Sequence, residues 1–266
     1  MDTPPSSTFV GRHEFFLRRL HSLTGLVPIG AYLVMHLLVN STLLSGPTTY
    51  QKNVYQIHGL EDLLVFVEWG LILLPILFHG VVGLWIWQNG QSNVWAYPHM
   101  ANYRYMLQRT TGMIAFAFIV WHVFHVHGWF HFDAWRKVVA EPLFGAQFRP
   151  YNAASTLAQA MRPGGVWGLI VPAVYVVGMT ACVFHLANGI WAAGIVWGAW
   201  TSPSAQRSAA WGCAAFGLFL TLVGLGSLIG VARVDVQTAR AKENAMYELR
   251  TQMGDIKPNA DKRVTE

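Results

Sequence analysis

Charge is scarce in this chain. Only 12% of its 266 residues are Asp, Glu, Lys or Arg, where a soluble domain carries roughly 25%. Set against 53% hydrophobic residues, 12 Trp and 15 Phe, that scarcity excludes a water-soluble globule and leaves no length for a separate soluble domain. Cysteine is nearly absent. Cys182 and Cys213 both sit inside apolar segments, where they read as small packing residues rather than a disulfide or a metal pair. No Cys-x-x-Cys-His occurs, which rules out covalently attached haem. There is no nucleic-acid motif, and the net charge of +5 speaks to topology and lipid headgroups instead. No cleavable leader is expected. Residues 1–19 are polar, with Arg12, Arg18 and Arg19, and the next apolar run is too long for a signal peptide.

What the chain does have is apolar length. Five segments, about 20–44, 62–88, 109–130, 166–197 and 208–232, clear the roughly 20 residues a membrane helix needs. Each is expected to be helical, because an uncovered strand leaves its backbone unsatisfied in lipid. Trp87, Trp95, Tyr103, Trp129, Trp167 and Trp200 mark their ends, as an aromatic belt does. The connections 45–61, 89–108, 131–165 and 199–207 are polar, and the longest contains an amphipathic stretch, 151–161, expected as a short helix on the membrane surface. Three regions follow: an N-terminal segment 1–19, a transmembrane domain 20–232 and a charged tail 233–266, expected helical at first and then disordered. Basic residues are almost evenly shared between the two sides. The cluster Arg12, Arg18 and Arg19 before the first helix decides for a cytoplasmic N-terminus.

Four histidines sit one in each of four apolar segments. His36, His79 and His122 are spaced 43 residues apart, and His185 follows after 63. A membrane helix with a short loop takes up about 40 residues, so successive histidines fall on successive, oppositely directed helices. His36 lies about 25 Å and His122 about 20 Å along their helices from Arg19 and Arg109, at 1.5 Å per residue. Both belong to the outer leaflet, and His79 and His185 to the inner one. Two pairs of opposed imidazoles in a four-helix core make two bis-histidine b-haem sites, His36 with His122 (distal) and His79 with His185 (proximal). A fifth helix stands beside that core. Iron without an open position suits electron transfer.

A repeat supports this reading. Residues 78–85 and 184–191 both fit Phe-His-x-x-x-Gly-aliphatic-Trp, with Gly83 and Gly189 one turn beyond the histidine, where a missing side chain clears a porphyrin plane. A lone intramembrane histidine is often a helix–helix hydrogen-bonding residue; four at paired depths, two in a shared repeat, point to ligation. His125, on the face of His122, is the best decoy ligand.

Glu68 is the one acid well inside an apolar segment. A carboxylate in hydrocarbon costs about 2.5–3.5 kcal/mol or more, so it is a candidate quinone-site proton donor at the outer side; the alternative is an edge residue snorkelling to water. Arg18, Arg19, His21, Ser22 and Arg109 at the inner face either neutralise haem propionates or anchor headgroups. Gly226 and Gly230 on the last helix permit close helix contact.

The run Phe16-Leu17-Arg18-Arg19-Leu20-His21-Ser22-Leu23-Thr24-Gly25-Leu26-Val27-Pro28-Ile29-Gly30, ending in His36-Leu37-Leu38-Val39-Asn40, resembles the first helix of the five-helix, di-haem cytochrome b subunits of succinate:menaquinone oxidoreductases. Glu68, Pro75-x-x-Phe78-His79-Gly80, Gln108-Arg109-x-Thr111-Gly112 and Phe184-His185-x-x-Asn188-Gly189 are similar to later family segments, so the likeness covers residues 12 to about 230. It implies a multi-pass anchor in the cytoplasmic (inner) membrane that binds two haem b and works on menaquinone or another quinone. Its implied partners are a flavoprotein (FAD) and an iron–sulfur subunit on the cytoplasmic side. The long loop 131–165 and the tail depart from the pattern. Rival readings are the cytochrome subunit of fumarate, nitrate or formate reductase, and a proton-relay transporter, which ordinarily shows paired acids and inverted repeats.

Overall fold

The computed structural model describes residues 9–264 apart from Glu61 and Asn93. The first eight residues of the N-terminal segment and the last two of the tail lie outside the described residues. The described chain is helical, with five helices long and apolar enough to cross a membrane. They are α1 (Glu14–Ser45), α3 (Leu63–Gln88), α4 (Met100–His127), α6 (Trp167–Val196) and α7 (Pro203–Ala232). Between and after them come three helices of another kind: α2 (Pro47–His58), α5 (Ala153–Met161) and α8 (Val236–Gln252). Three of the spans begin earlier than their apolar runs, α1 at Glu14, α4 at Met100 and α7 at Pro203. A helix continues past the hydrocarbon edge as long as its backbone bonds continue, so polar Arg104 and Gln108 ride on α4 without weakening its pattern.

Two spans change pitch. Gly25–Gly30 of α1 and Val67–Leu73 of α3 are wound as π-helix, and the two widened stretches pack against each other. Pro28 lies within the first and Pro75 just follows the second. A proline removes one backbone donor, and a locally wider helix is one way to accommodate that loss in lipid.

The contacts divide the chain into two compact units, each drawing segments from every one of the five spans except that their boundaries fall at different residues. Unit one comprises residues 1–34, 66–113 and 182–218; unit two comprises 35–65, 114–181 and 219–266.

Unit two has a polar cap that the sequence reading missed. The connection 45–61 contains α2, begun by Gly46 at φ 107° and Pro47 at its first position, a conformation and a residue suited to breaking one helix and starting the next. Stretch 151–161 forms the expected short helix, α5, but it is covered by other elements rather than lying open on a surface. Ala153, Ala154, Leu157 and Ala158 of α5 are buried with Tyr50 and Val54 of α2 and Ala239 of α8. The tail, instead of trailing free, docks on α5 through α8, and Tyr247 joins Tyr55 and Tyr151 in a second small core. The loop after α4 folds back so that Ala146, Gln147 and Phe148 donate to the carbonyls of Phe124, His125 and Val126 at 3.0, 3.0 and 3.1 Å, satisfying the last orphan acceptors of that span. On α7, Gly226 and Gly230 face Leu44 and Leu43, and a Cβ on Gly230 would come within 2.9 Å of Leu43.

The cap is locked by side chains. Glu243 is 1% exposed and accepts from the backbone N–H of Ala154 (2.7 Å) and Ser155 (3.0 Å) and from Ser155 Oγ (2.5 Å). Gln51 accepts from the Ala153 N–H at 2.9 Å and donates to the Pro150 carbonyl. Three orphan donors at the start of α5 are thus satisfied by residues from two other helices. Burial pushes the Glu243 carboxyl above its usual range, and the donors from Ser155 and Ala154 pull it back. His58, at the end of α2, is held neutral by burial, its pKa lowered to about 4.

Glu243→Ala strands two backbone donors and a hydroxyl in a buried site, at a cost of about 2–3 kcal/mol. The variant is expected to lose protease resistance between residues 233 and 264 while the five spans stay protected; unchanged tail resistance would show that apolar packing alone holds the cap.

Candidate functional site

Two imidazole pairs form, one in each unit. His79 and His185 lie in unit one with ring centroids 6.1 Å apart and planes at 87°. His36 and His122 lie in unit two at 5.8 Å and 80°. Bonds of about 2 Å from each imidazole nitrogen to one metal ion put ring centroids roughly 6 Å apart. Both pairs therefore have the separation that two imidazole ligands of one metal ion would have.

The second nitrogen of each ring explains how the rings are held. His79 Nδ1 lies 3.0 Å from the His21 carbonyl, and His185 Nδ1 lies 3.0 Å from the Gln108 carbonyl. A carbonyl only accepts, so each Nδ1 carries the hydrogen and each Nε2 is left with a free lone pair. Glycine opens the way to those carbonyls. A Cβ on Gly25 would stand 2.5 Å from the His79 ring, and one on Gly112 would stand 2.8 Å from the His185 ring. Each glycine follows its acceptor by one turn, in Leu20-x-x-x-Thr24-Gly25 on α1 and Leu107-x-x-x-Thr111-Gly112 on α4. Thr24 and Thr111 fold their hydroxyls back onto the same carbonyls. This second repeat was present in the sequence, but its role shows only when α1 meets α3 and α4 meets α6.

Gly83 and Gly189 sit opposite the side chains of the same two residues. Their Cβ atoms would come 3.2 Å from His21 Cε1 and 3.5 Å from Gln108 Nε2. His21 stacks on His79 at 3.8 Å with planes 12° apart, and its Nδ1 is buried without a partner in the protein. Gln108 instead enters a network missed from sequence. It donates to the His185 carbonyl at 3.1 Å and accepts from Asn188 at 2.8 Å; Asn188 in turn accepts both Arg104 contacts, at 3.1 and 2.7 Å. The Arg104 guanidinium also lies over the Trp191 ring, 3.6 Å from its centroid. Asn188 and Trp191 inside the Phe-His repeat, and Gln108 in its own motif, were marked in the sequence, but not their contacts with one another or with Arg104.

Arg18, Arg19 and Arg109 are all anchored within unit one. Arg18 pairs with Glu14 at 2.8 Å and faces Trp85. Arg19 lies between Phe15 and Trp197, whose indole donates to Ser22 at 3.4 Å. Arg109 binds the carbonyls of Trp87 and Gly90 and the Tyr105 hydroxyl, closing the end of α3. Glu68 lies half-buried on the π-wound stretch of α3, in electrostatic contact with Tyr32 of α1, and within the unit that holds His79 and His185. His125 faces no opposed imidazole. Its Nδ1 is 2.9 Å from the Tyr175 hydroxyl and its ring stacks on Trp121.

Paired imidazoles, the hydrogen of His79 and His185 fixed on Nδ1, glycines where a side chain would strike those two rings, and a buried unpartnered nitrogen on His21 suit a bis-imidazole iron porphyrin. His36, His79, His122 and His185 are the residues that would hold it. No family model matches the chain. It is 30% identical over 218 residues to the succinate dehydrogenase cytochrome b558 subunit of Bacillus subtilis (strain 168), a match covering 82% of this chain and 97% of that protein. With that identity over nearly all of the relative, and five membrane-crossing helices around the two histidine pairs, the chain belongs to the succinate dehydrogenase cytochrome b subunit family.

Proposed function

We propose that this chain binds two b haems and carries electrons between succinate-oxidising flavoprotein and iron–sulfur subunits and a membrane quinone. The observation that carries the reading is the pair of imidazole pairs, 6.1 and 5.8 Å between centroids, with one pair in each unit. When bound, each haem supplies a one-electron carrier with no open coordination position. The protein's own share is to hold the Nδ1 hydrogens on acceptors, keep water from the rings and seat two subunits at one face. The N-terminus faces the cytoplasm of an inner membrane, the flavoprotein (FAD) and iron–sulfur subunits dock on that side, and the cap of α2, α5 and α8 lies outside. Family membership and the absence of any hydride or nucleotide motif in the sequence support an anchor rather than a complete enzyme. A proton-relay transporter fits less well, because two of the ligand Nδ1 atoms are fixed on main-chain carbonyls within the fold.

A pyridine haemochrome assay is expected to give two haems per chain. His79→Ala or His185→Ala removes one and His36→Ala or His122→Ala the other, and Gly112→Leu acts like His185→Ala. One haem per chain in the unmodified protein overturns the reading.

Glu68 is assigned to proton delivery at the quinone. Glu68→Gln keeps its shape and loses proton exchange, so succinate:quinone turnover is expected to fall at least tenfold with both haem spectra intact. Unchanged turnover returns Glu68 to an edge residue snorkelling to water.

With menaquinone or a similar acceptor reduced at the outer face, electrons cross from the negative to the positive side and gain about 2.3 kcal/mol per 100 mV. In sealed vesicles an uncoupler is expected to slow succinate:quinone activity and to leave activity with a soluble dye unaltered. Equal insensitivity of both would move the quinone to the inner face.

A further inference from the structure

His122 is held differently from His79 and His185. Those two place Nδ1 on main-chain carbonyls, which no side-chain change removes. His122 Nδ1 instead lies 3.1 Å from the Tyr175 hydroxyl, and the same oxygen lies 2.9 Å from His125 Nδ1. One hydroxyl carries one hydrogen, so it donates to at most one of the two imidazoles and otherwise accepts. Donation to His125 leaves it accepting from the His122 Nδ1–H, and His122 Nε2 is then bare and able to ligate. The reverse arrangement leaves the His122 hydrogen on Nε2 and closes that atom to a metal.

The surroundings hold this arrangement rigid. Tyr175 and His125 are 7% and 5% exposed. His125 stacks on Trp121 at 4.8 Å with planes 10° apart, and Phe118 stacks on His122 at 5.5 Å while meeting Tyr175 edge-on at 5.4 Å. Of these residues only His122 is a proposed ligand, and the sequence offered His125 only as a decoy.

We propose that Tyr175, oriented by His125, is a positioning residue that fixes the tautomer of His122 and sets how strongly this ligand donates to its iron. The proposal rests on the di-haem reading. An acceptor on Nδ1–H makes an imidazole a stronger metal donor, and its loss weakens that donation. A weaker donor favours the reduced iron, so removing the hydroxyl raises the potential of this haem alone.

The test is an optical redox titration of the membrane-bound complex, with the haem of interest defined as the one missing from His122→Ala. In Tyr175→Phe, two haems per chain are expected, with that haem titrating at higher potential and the other unmoved. His125→Phe keeps a ring on Trp121 but removes the acceptor for the hydroxyl, so it shifts the same haem by a smaller amount. His125→Gln retains an acceptor and titrates like the unmodified protein. Unchanged potentials in Tyr175→Phe with two haems bound, or a shift confined to the other haem, would falsify the assignment. If Tyr175→Phe fails to assemble, the His125 pair decides, and identical titrations of His125→Phe and His125→Gln overturn the proposal. A single haem in the unmodified protein overturns the di-haem reading itself, a different result from two haems that do not move.

Discussion

Everything at the centre of this protein depends on one requirement: an imidazole taken into an apolar interior must place its N–H on an acceptor. Water does not supply one there, and a helix normally hides its carbonyls inside its own ladder. Gly25 and Gly112 lift that restriction in unit one. With no side chain in the way, the His79 and His185 rings come close enough to α1 and α4 to share the carbonyls of His21 and Gln108. The same contact joins two helices, fixes a ring, chooses its tautomer and leaves Nε2 open. Packing and metal-binding competence therefore rest on the same few atoms.

Unit two meets the requirement by other means. His122 uses a tyrosine hydroxyl, and polar satisfaction extends outward into the cap. Asn40 donates to the His36 carbonyl at 2.7 Å and receives the Tyr50 hydroxyl at 3.3 Å, tying α2 to the turn that bears this ligand. Beyond it, Gln51 and Glu243 satisfy the start of α5. The Arg136–Asp261 ion pair at 3.1 Å adds a further bond from loop to tail; being partly exposed, it contributes little by itself. The long loop and the tail, the two places where the sequence left the family pattern, supply α5 and α8, two of the three helices of this cap.

The spans differ in how much they bury: 44% of the apolar stretch of α6 is buried, and almost none of that of α3. Leu64 and Gly80 are the buried residues of α3 among those described, while Leu71, Leu74, Leu77 and Val81 are exposed. Apolar groups turned outward are stable only in lipid, so the bilayer supplies the burial that a soluble protein obtains from its own core. Small residues take over where helices do touch, as at Gly230 against Leu43, because close approach is what association in lipid rewards.

By itself, the sequence determined the five spans and the two histidine pairs. Both follow from simple periodicities: hydrocarbon thickness sets span length, and alternating direction puts every second histidine at one depth. It also determined the family, since the motifs around His36, His79 and His185 stand in order along one chain. The tertiary structure alone decided which carbonyls, hydroxyl and glycines serve those rings, and that α2, α5 and α8 form a cap. Residues such as Gln108, Tyr175, Asn188 and Glu243 act on partners 50 to 89 positions away. Local pattern carries no record of such pairings. Their roles come into being only when helices distant in sequence meet and each buried polar atom must find a partner.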